Sequence, residues 1–337
     1  MRVGVNPAKD QIIAIKSYHR IIIPVFVPNI TDPYFKNGLE VTQICLESVI
    51  KTRHKKSSLT VVNNGSCKEV TQYLQQLYLE KKIDQLIHYK ENVGKIDAII
   101  PIAREAQEPL VTISDGDVLF KDGWIQGVEE VFCHFPEAGM VSPVPHGTVY
   151  NTYTVNTLFD GFLKGILKFQ SICNPEDMMR FAESIGKAET MYQKKIRLLY
   201  QLTVKRKEFS AVVGCGHFVA TLRKEVFQYA PQGASKLAYA SAADRDYIDI
   251  PVEKAKLWRL ATVKNYAYHM GNSPTEWMDS VFNKLVGVSE RTTEVPKSKI
   301  TNFSLWFKKG VVRFIMSRYF RKYFFKKWGL KEGLNEY

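Results

Sequence analysis

The sequence predicts an α/β fold: a mostly parallel sheet covered on both faces by helices. Two observations carry this. Over the first 120 residues, short apolar, β-branched runs alternate with longer stretches of helical period. Those runs then stop in polar, turn-forming residues: Pro28-Asn29, Asn63-Asn64-Gly65-Ser66 and Ser114-Asp115-Gly116-Asp117. Crossovers between parallel strands are right-handed, so these ends fall along one edge of the sheet, where open α/β folds bind ligands.

The elements follow in order. Residues 1–19 form a lead-in without clear period. Residues 20–29 (RIIIPVFVPN) are a buried strand running into a proline-rich loop. Residues 36–52 place Leu39, Ile44, Leu46, Val49 and Ile50 at helical spacing. A strand at 58–62, a helix at 67–82, a strand at 85–89 and a helix at 92–107 come next, with Gly94-Lys95 near the start of that helix. The fourth strand is 110–113. Residues 124–134 read as helix, 138–144 as strand, and 175–207 as mostly helical and charged. Residues 209–222 read as strand, glycine-rich turn and strand, and a last strand lies within 262–271, ending at His269.

The chain has 337 residues, 45% of them hydrophobic, enough for a sizeable core and against wholesale disorder. No window is apolar for eighteen residues, and the first residues lack the apolar run of a signal peptide. The five cysteines are scattered and never form a Cys-x-x-Cys pair. These features point to a reducing, cytoplasmic setting. The net charge of +13 is uneven: from Lys297 onward eleven basic residues face two acids. The partner of the basic surface therefore belongs at the C-terminus.

The most informative stretch is Asp115-Gly116-Asp117. Asp-Gly-Asp is good turn chemistry, but here it ends the fourth strand of a strand–helix series. Two carboxylates so placed repel each other unless a cation joins them. Hard divalent cations take carboxylate oxygens and phosphate oxygens together. The stretch thus predicts a metal–phosphate site.

Taken in order, residues 20–29, VVNNGS (61–66), NVGKIDAIIPIARE (92–105), LVTISDGD (110–117), an acid cluster at Asp244, Asp246 and Asp249, and a strand ending in His269 resemble a family 2 glycosyltransferase with the GT-A fold. The resemblance covers roughly residues 20–290. It implies that Asp115 and Asp117 are the Asp-x-Asp signature, with Asp117 on Mn²⁺ or Mg²⁺ and Asp115 near the ribose or the metal. It implies His269 as a further metal ligand. Pro24, Phe26, Asn63, Asn64, Lys95 and Gly116 would face the donor nucleotide. Asn64 stands where the family usually has an aspartate contacting the base. The catalytic base is implied among the acids before His269, where Ala243-Asp244-Arg245-Asp246 departs from the usual Glu-Asp pair. The count from His269 falls between Asp244 and Asp246, with Asp246 favoured, and Asp249 reads as a solvated or capping acid. Gly216 and His217 would line the sugar or acceptor pocket, and Trp258 is either an acceptor-stacking ring or a core residue.

Residues 1–300 are thus expected to form the catalytic domain and 301–337 a basic–aromatic, amphipathic helical tail. Residues 302–328 interleave Lys and Arg with Trp, Phe and Tyr. An anionic membrane surface is the favoured partner for such a mixture, ahead of docking on the domain and of nucleic acid, which is not expected. The function implied is transfer of a sugar, most simply from a UDP-sugar, to a hydroxyl of a glycan or lipid-linked acceptor in polysaccharide or lipopolysaccharide synthesis. The protein would sit peripherally on the inner face of the cytoplasmic membrane. A nucleotidyltransferase would want a glycine- and arginine-rich loop after the first strand, where this chain has VPNITDPYF. A non-catalytic sugar-nucleotide or glycan-binding protein is the other alternative.

Overall fold

Twelve strands and nine longer helices build the architecture in a computed structural model, which describes residues 3–12, 14–237, 241–287 and 294–337. The strands are β1 (His19–Val25), β2 (Ser57–Asn64), β3 (Gln85–Tyr89), β4 (Leu110–Ser114), β5 (Val118–Phe120), β6 (Ala138–Ser142), β7 (Leu167–Gln170), β8 (Gln201–Arg206), β9 (Phe209–Val213), β10 (Val219–Arg223), β11 (Trp258–Ala261) and β12 (Ala267–His269). The helices are α1 (Gly38–Thr52), α2 (Lys68–Leu79), α3 (Lys95–Glu105), α4 (Trp124–His134), α5 (Val155–Leu163), α6 (Pro175–Ser184), α7 (Glu276–Asn283), α8 (Leu305–Ile315) and α9 (Arg321–Lys327), with shorter helical turns between them.

Ten strands form one sheet in the order β3-β2-β1-β4-β10-β6-β11-β9-β8-β7. From the pairings, β1 to β4, β6, β8 and β11 run one way, and β7, β9 and β10 the other. The run β3-β2-β1-β4 is wholly parallel because each of these strands is joined to the next through a helix. That is why β1 is apolar on both faces: Ile22 packs with α3, and Ile21 and Ile23 pack with α1 and α2. β5 and β12 form a separate antiparallel ribbon that sets His269 opposite Val118.

Three stretches differ from expectation. Residues 201–206 are strand, not helix: Leu202 and Val204 are buried on one face of β8, between β7 and β9. The strands within 209–222 do not form a hairpin. β9 pairs with β8 and β11, whereas β10 inserts between β4 and β6. The tail is two short helices, broken at residues 316–320 and not at Gly310. It does not stand apart, since Val312, Ile315, Phe324, Phe325, Trp328, Leu330 and Tyr337 share a core with α5 and β7. Among the described residues no helix is long and apolar enough to cross a membrane.

Candidate active site

The site lies where the parallel strands end. β4 finishes at Ser114, and Asp115-Gly116-Asp117 makes the short link into β5. Gly116 has no side chain because a Cβ there would approach the Pro24 carbonyl oxygen at 3.0 Å. This contact pins the acidic link to the end of β1. Phe26, just beyond, is partly exposed and meets Phe35 edge-on with ring centres 6.2 Å apart.

Asp115, Asp117 and His269 each offer a ligand atom, and the three atoms lie within 4.8 Å of one another. The β5–β12 ribbon creates this meeting, reinforced by the Met270 amide donating to the Asp117 carbonyl at 2.8 Å. His269 Nε2 is 3.4 Å from Asp117 Oδ2, while its Nδ1 is 3.1 Å from Ser184 Oγ. An imidazole held by its second nitrogen is how proteins orient a metal-binding histidine. Asp117 Oδ1 is buried without a hydrogen-bond partner. Burial pushes the Asp117 carboxyl up to about 6, with Asp115 adding to the rise and the His269 and Lys95 charges opposing it. Two carboxylates, one imidazole and an unpartnered buried oxygen are a donor set that fits Mn²⁺ or Mg²⁺. A second trio, His19, His54 and Glu129, also converges. There both imidazoles meet Glu129 Oε1, at 2.9 and 3.0 Å, and hydrogen bonding accounts for the grouping.

Lys95, the first residue of α3, joins the acidic link to the acid cluster. Its Nζ is 2.5 Å from Asp115 Oδ1 and 3.2 Å from Asp244 Oδ1. Burial alone would lower its pKa, but the two carboxylates prevail and raise it, so the ammonium is permanent. The sequence suggested a cation here but not its bridge to Asp244, because the two lie about 150 residues apart.

Asp244 is buried, and Asp246 is partly exposed and pairs with its neighbour Arg245. The cause is local. Arg245–Asp249 is a π-helical turn, and its i→i+5 repeat inserts a residue relative to an α-helix. It puts Asp244 and Asp249 on one side, both facing His217. Asp249 is therefore not the solvated acid expected: it is buried and bonded to Arg259. Gly214 supports the same wall. It adopts φ +87, and a Cβ would sit 2.5 Å from the Val149 carbonyl oxygen. Gly216 and His217 follow it in the chain, and His217 meets Asp244 and Asp249.

Two further expectations meet a different geometry. Asn63 and Asn64 are buried with their amides committed inside the protein. Asn63 bonds Thr71, His88 and the Ser66 amide. Asn64 bonds Asn92 and accepts from the Val93 amide. Asn63 holds the turn into α2 and Asn64 the loop that starts α3, so neither presents a free amide to a base. Trp258 is fully buried and donates through Nε1 to Asp160 at 2.8 Å, so it is a core residue.

A sheet with this edge, a convergent acid–acid–imidazole set and a buried acid beyond a lysine are arranged as the resemblance to a GT-A glycosyltransferase implies. The sequence profile of glycosyl transferase family 2 matches residues 33–228, and the chain belongs to that family. Among solved structures, it is similar to a mannosyltransferase from Pyrobaculum calidifontis in complex with GDP-Man and Mn²⁺, at 14% identity and a TM-score of 0.36. That match covers 63% of this chain and 46% of the other, so the chain matches just under half of that protein's length. It is also similar to S. aureus TarS 1–349, at 10% identity and a TM-score of 0.45, over 94% of this chain and 73% of that one. TarS 1–349 in complex with UDP aligns over 37% of this chain and 34% of that one, at 15% identity and a TM-score of 0.29. No curated protein sequence matches the chain.

Proposed function

We propose that this glycosyltransferase is cation-dependent and inverting. It moves a sugar from a nucleoside-diphosphate donor, taken as UDP-linked from the motif resemblance, to a hydroxyl of a glycan or glycolipid in surface-polysaccharide or lipopolysaccharide assembly. The observation that carries the reading is the open trio of Asp115, Asp117 and His269, with Asp117 Oδ1 buried and unpartnered. A divalent cation held there supplies positive charge to the departing diphosphate. Lys95 sets a second cation beside it, and Gly116 and Pro24 keep the backbone at that edge close-packed. Asp244, across Lys95 from the trio, takes the proton of the acceptor hydroxyl as the acceptor oxygen bonds to the anomeric carbon. Asp244 is preferred to Asp246 because it is held against Lys95 beside the trio, whereas Asp246 pairs with Arg245.

The tail supports a membrane-side acceptor. Its inner face is packed, but Trp306, Phe314, Tyr319 and Tyr323 are exposed beside Arg313, Arg318, Lys322, Lys326 and Lys327. Rings and cations so mixed suit an anionic lipid surface on the cytoplasmic side.

Titration calorimetry with UDP tests the site. Mn²⁺ is expected to strengthen UDP binding to the wild type, and Asp117→Ala to weaken that binding by about 100-fold or more, the scale of losing a metal ligand set. Metal dependence that survives the substitution defeats the reading. Nucleotide release from a panel of UDP- and GDP-sugars then tests the base. Asp244→Asn is expected to fall by about 10²–10⁴-fold with donor binding kept, and Asp246→Asn to stay within about threefold.

A further inference from the structure

Behind Asp244 lies a second set of buried charge that the donor site does not use. The Asp249 side chain is held from both ends: Oδ1 accepts from Arg259 Nη2 at 2.8 Å, and Oδ2 is 3.2 Å from His217 Nδ1. Arg259 is itself buried and also donates to the carbonyls of Thr152 and Cys215. Asp249 is thus an anion fixed by a permanent cation, and it fixes the His217 ring in turn. The other ring nitrogen, Nε2, lies 3.9 Å from Asp244 Oδ2. The Asp244 side chain is 6% exposed, whereas that of His217 is 34% exposed.

We propose that His217, oriented by Asp249, is the proton outlet of Asp244. The inference rests on Asp244 being the base. A buried base must release the proton it gains in each turnover. Lys95, 3.2 Å from Asp244, already holds its proton, whereas His217, at 3.9 Å and 34% exposed, can take one and pass it to solvent. The steps balance. The acceptor oxygen bonds to the anomeric carbon, and its proton goes to Asp244. The bond from that carbon to the diphosphate breaks, and its electron pair leaves on the diphosphate oxygen. The proton then passes from the Asp244 carboxyl to His217 Nε2 and from the imidazolium to water. Asp249 stays ionised and keeps Nδ1–H throughout. A gap of 3.9 Å is of the kind that closes to hydrogen-bond reach when substrates bind.

The charges facing His217 are Asp249, Asp244 and Lys95, with Arg259 behind Asp249 and His146 on the loop after β6. Burial pulls the imidazole's pKa down. The Asp249 hydrogen bond and the two carboxylates outweigh burial and the Lys95 charge, and the pKa is raised. Turnover through a neutral His217 should therefore rise with pH across that raised midpoint.

Two measurements on the full chain test this. The first is NMR titration of the histidine Cε1–H signals, assigned with His217→Gln. A raised His217 midpoint that falls by about a unit in Asp249→Asn is expected. An unmoved midpoint overturns the pair. The second is kcat and KM against pH for nucleotide release from the sugar-nucleotide panel. His217→Gln should lose the acid limb of the profile and about tenfold in kcat, with donor KM unchanged and imidazole in the buffer restoring part of the rate. A wild-type profile in His217→Gln overturns the outlet role. A wild type that turns over no donor at any pH overturns the transferase mechanism and the outlet with it, while the NMR midpoint still reports the Asp249–His217 pair.

Discussion

Lys95 and Lys308 are both held nearly out of solvent against acids, and their surroundings are opposites. Under the tail, Lys308 is fully buried, with Nζ 3.0 Å from Asn156 Oδ1 and 3.2 Å from Asp160 Oδ1. Asp160 also accepts from Trp258 and from Thr301. Every charge there has partners within the fold. At the sheet edge, Lys95 spans Asp115 and Asp244, and beside it Asp117 Oδ1 is buried with none. A closed polar cluster is explained by folding alone. An open one costs stability that a ligand recovers, and here the leftover oxygen belongs to a carboxylate that converges with a second acid and an imidazole.

The sharpest way to break this contrast is to delete one member of each cluster. Lys308→Ala leaves Asp160 buried without its cation and should cost about 3–5 kcal/mol in urea denaturation, with Mn²⁺-dependent UDP binding intact in the folded protein. Asp117→Ala should do the reverse, ending metal-dependent binding while keeping stability within about 1 kcal/mol of wild type or above it, because it removes an unsatisfied buried group. If Asp117→Ala unfolds the chain and Lys308→Ala is silent, the division into closed and open clusters is wrong.

The tail carries the next test. Deleting it would remove Phe325, Leu330 and Tyr337, all now buried, and uncover Tyr150 and Phe169 beneath them, so truncation would confound folding with attachment. Replacing the outward rings avoids this. Trp306→Ser with Phe314→Ser and Tyr319→Ser should lower binding to anionic vesicles by about tenfold or more and leave UDP binding unchanged. Equal sedimentation of wild type and variant would discard the membrane face.

The same contrast separates what the sequence disclosed from what it hid. Features written in local period were legible: β1 to β4, the helices between them, α4, and the Asp115-Gly116-Asp117 ending. His269 was placed by its position at the end of a strand. Features that depend on distant partners were not. The Lys95–Asp244 bridge joins elements far apart in sequence, and the three-residue β5 that steers Asp117 toward His269 is too short to show a period. The gathering of Asp244 and Asp249 on one side, around a π-helical turn, leaves no mark in residue counting. The tail's apolar stripe, with Val312 and Ile315, would serve a lipid surface or a protein core equally well, and only β7 and α5 decide which. Asn64 and Trp258 have side chains able to meet a ligand, but burial turned both inward.

The effect confined to acid pH concerns His146, a buried group whose closure is pH-dependent. Its ring packs against Phe181 and Tyr192, and Nδ1 meets the Thr148 hydroxyl at 3.0 Å. Burial holds the imidazole neutral and lowers its pKa to about 4, with the His217 charge acting in the same direction. The unfolded chain takes up that proton near pH 6.5 and the folded chain does not. The contribution is therefore complete above about pH 6.5 and is lost as the pH falls toward 4, about 3 kcal/mol across the window. His217 works in the opposite sense, because its raised pKa favours the fold below 6.5 and that contribution fades as the pH rises through its midpoint. Comparing wild type with His146→Asn isolates the first effect. Urea denaturation at pH 7.5, 5.5 and 4.5 should show wild-type stability falling more steeply than that of the variant. Parallel losses in the two proteins would mean that His146 accepts its proton within the fold.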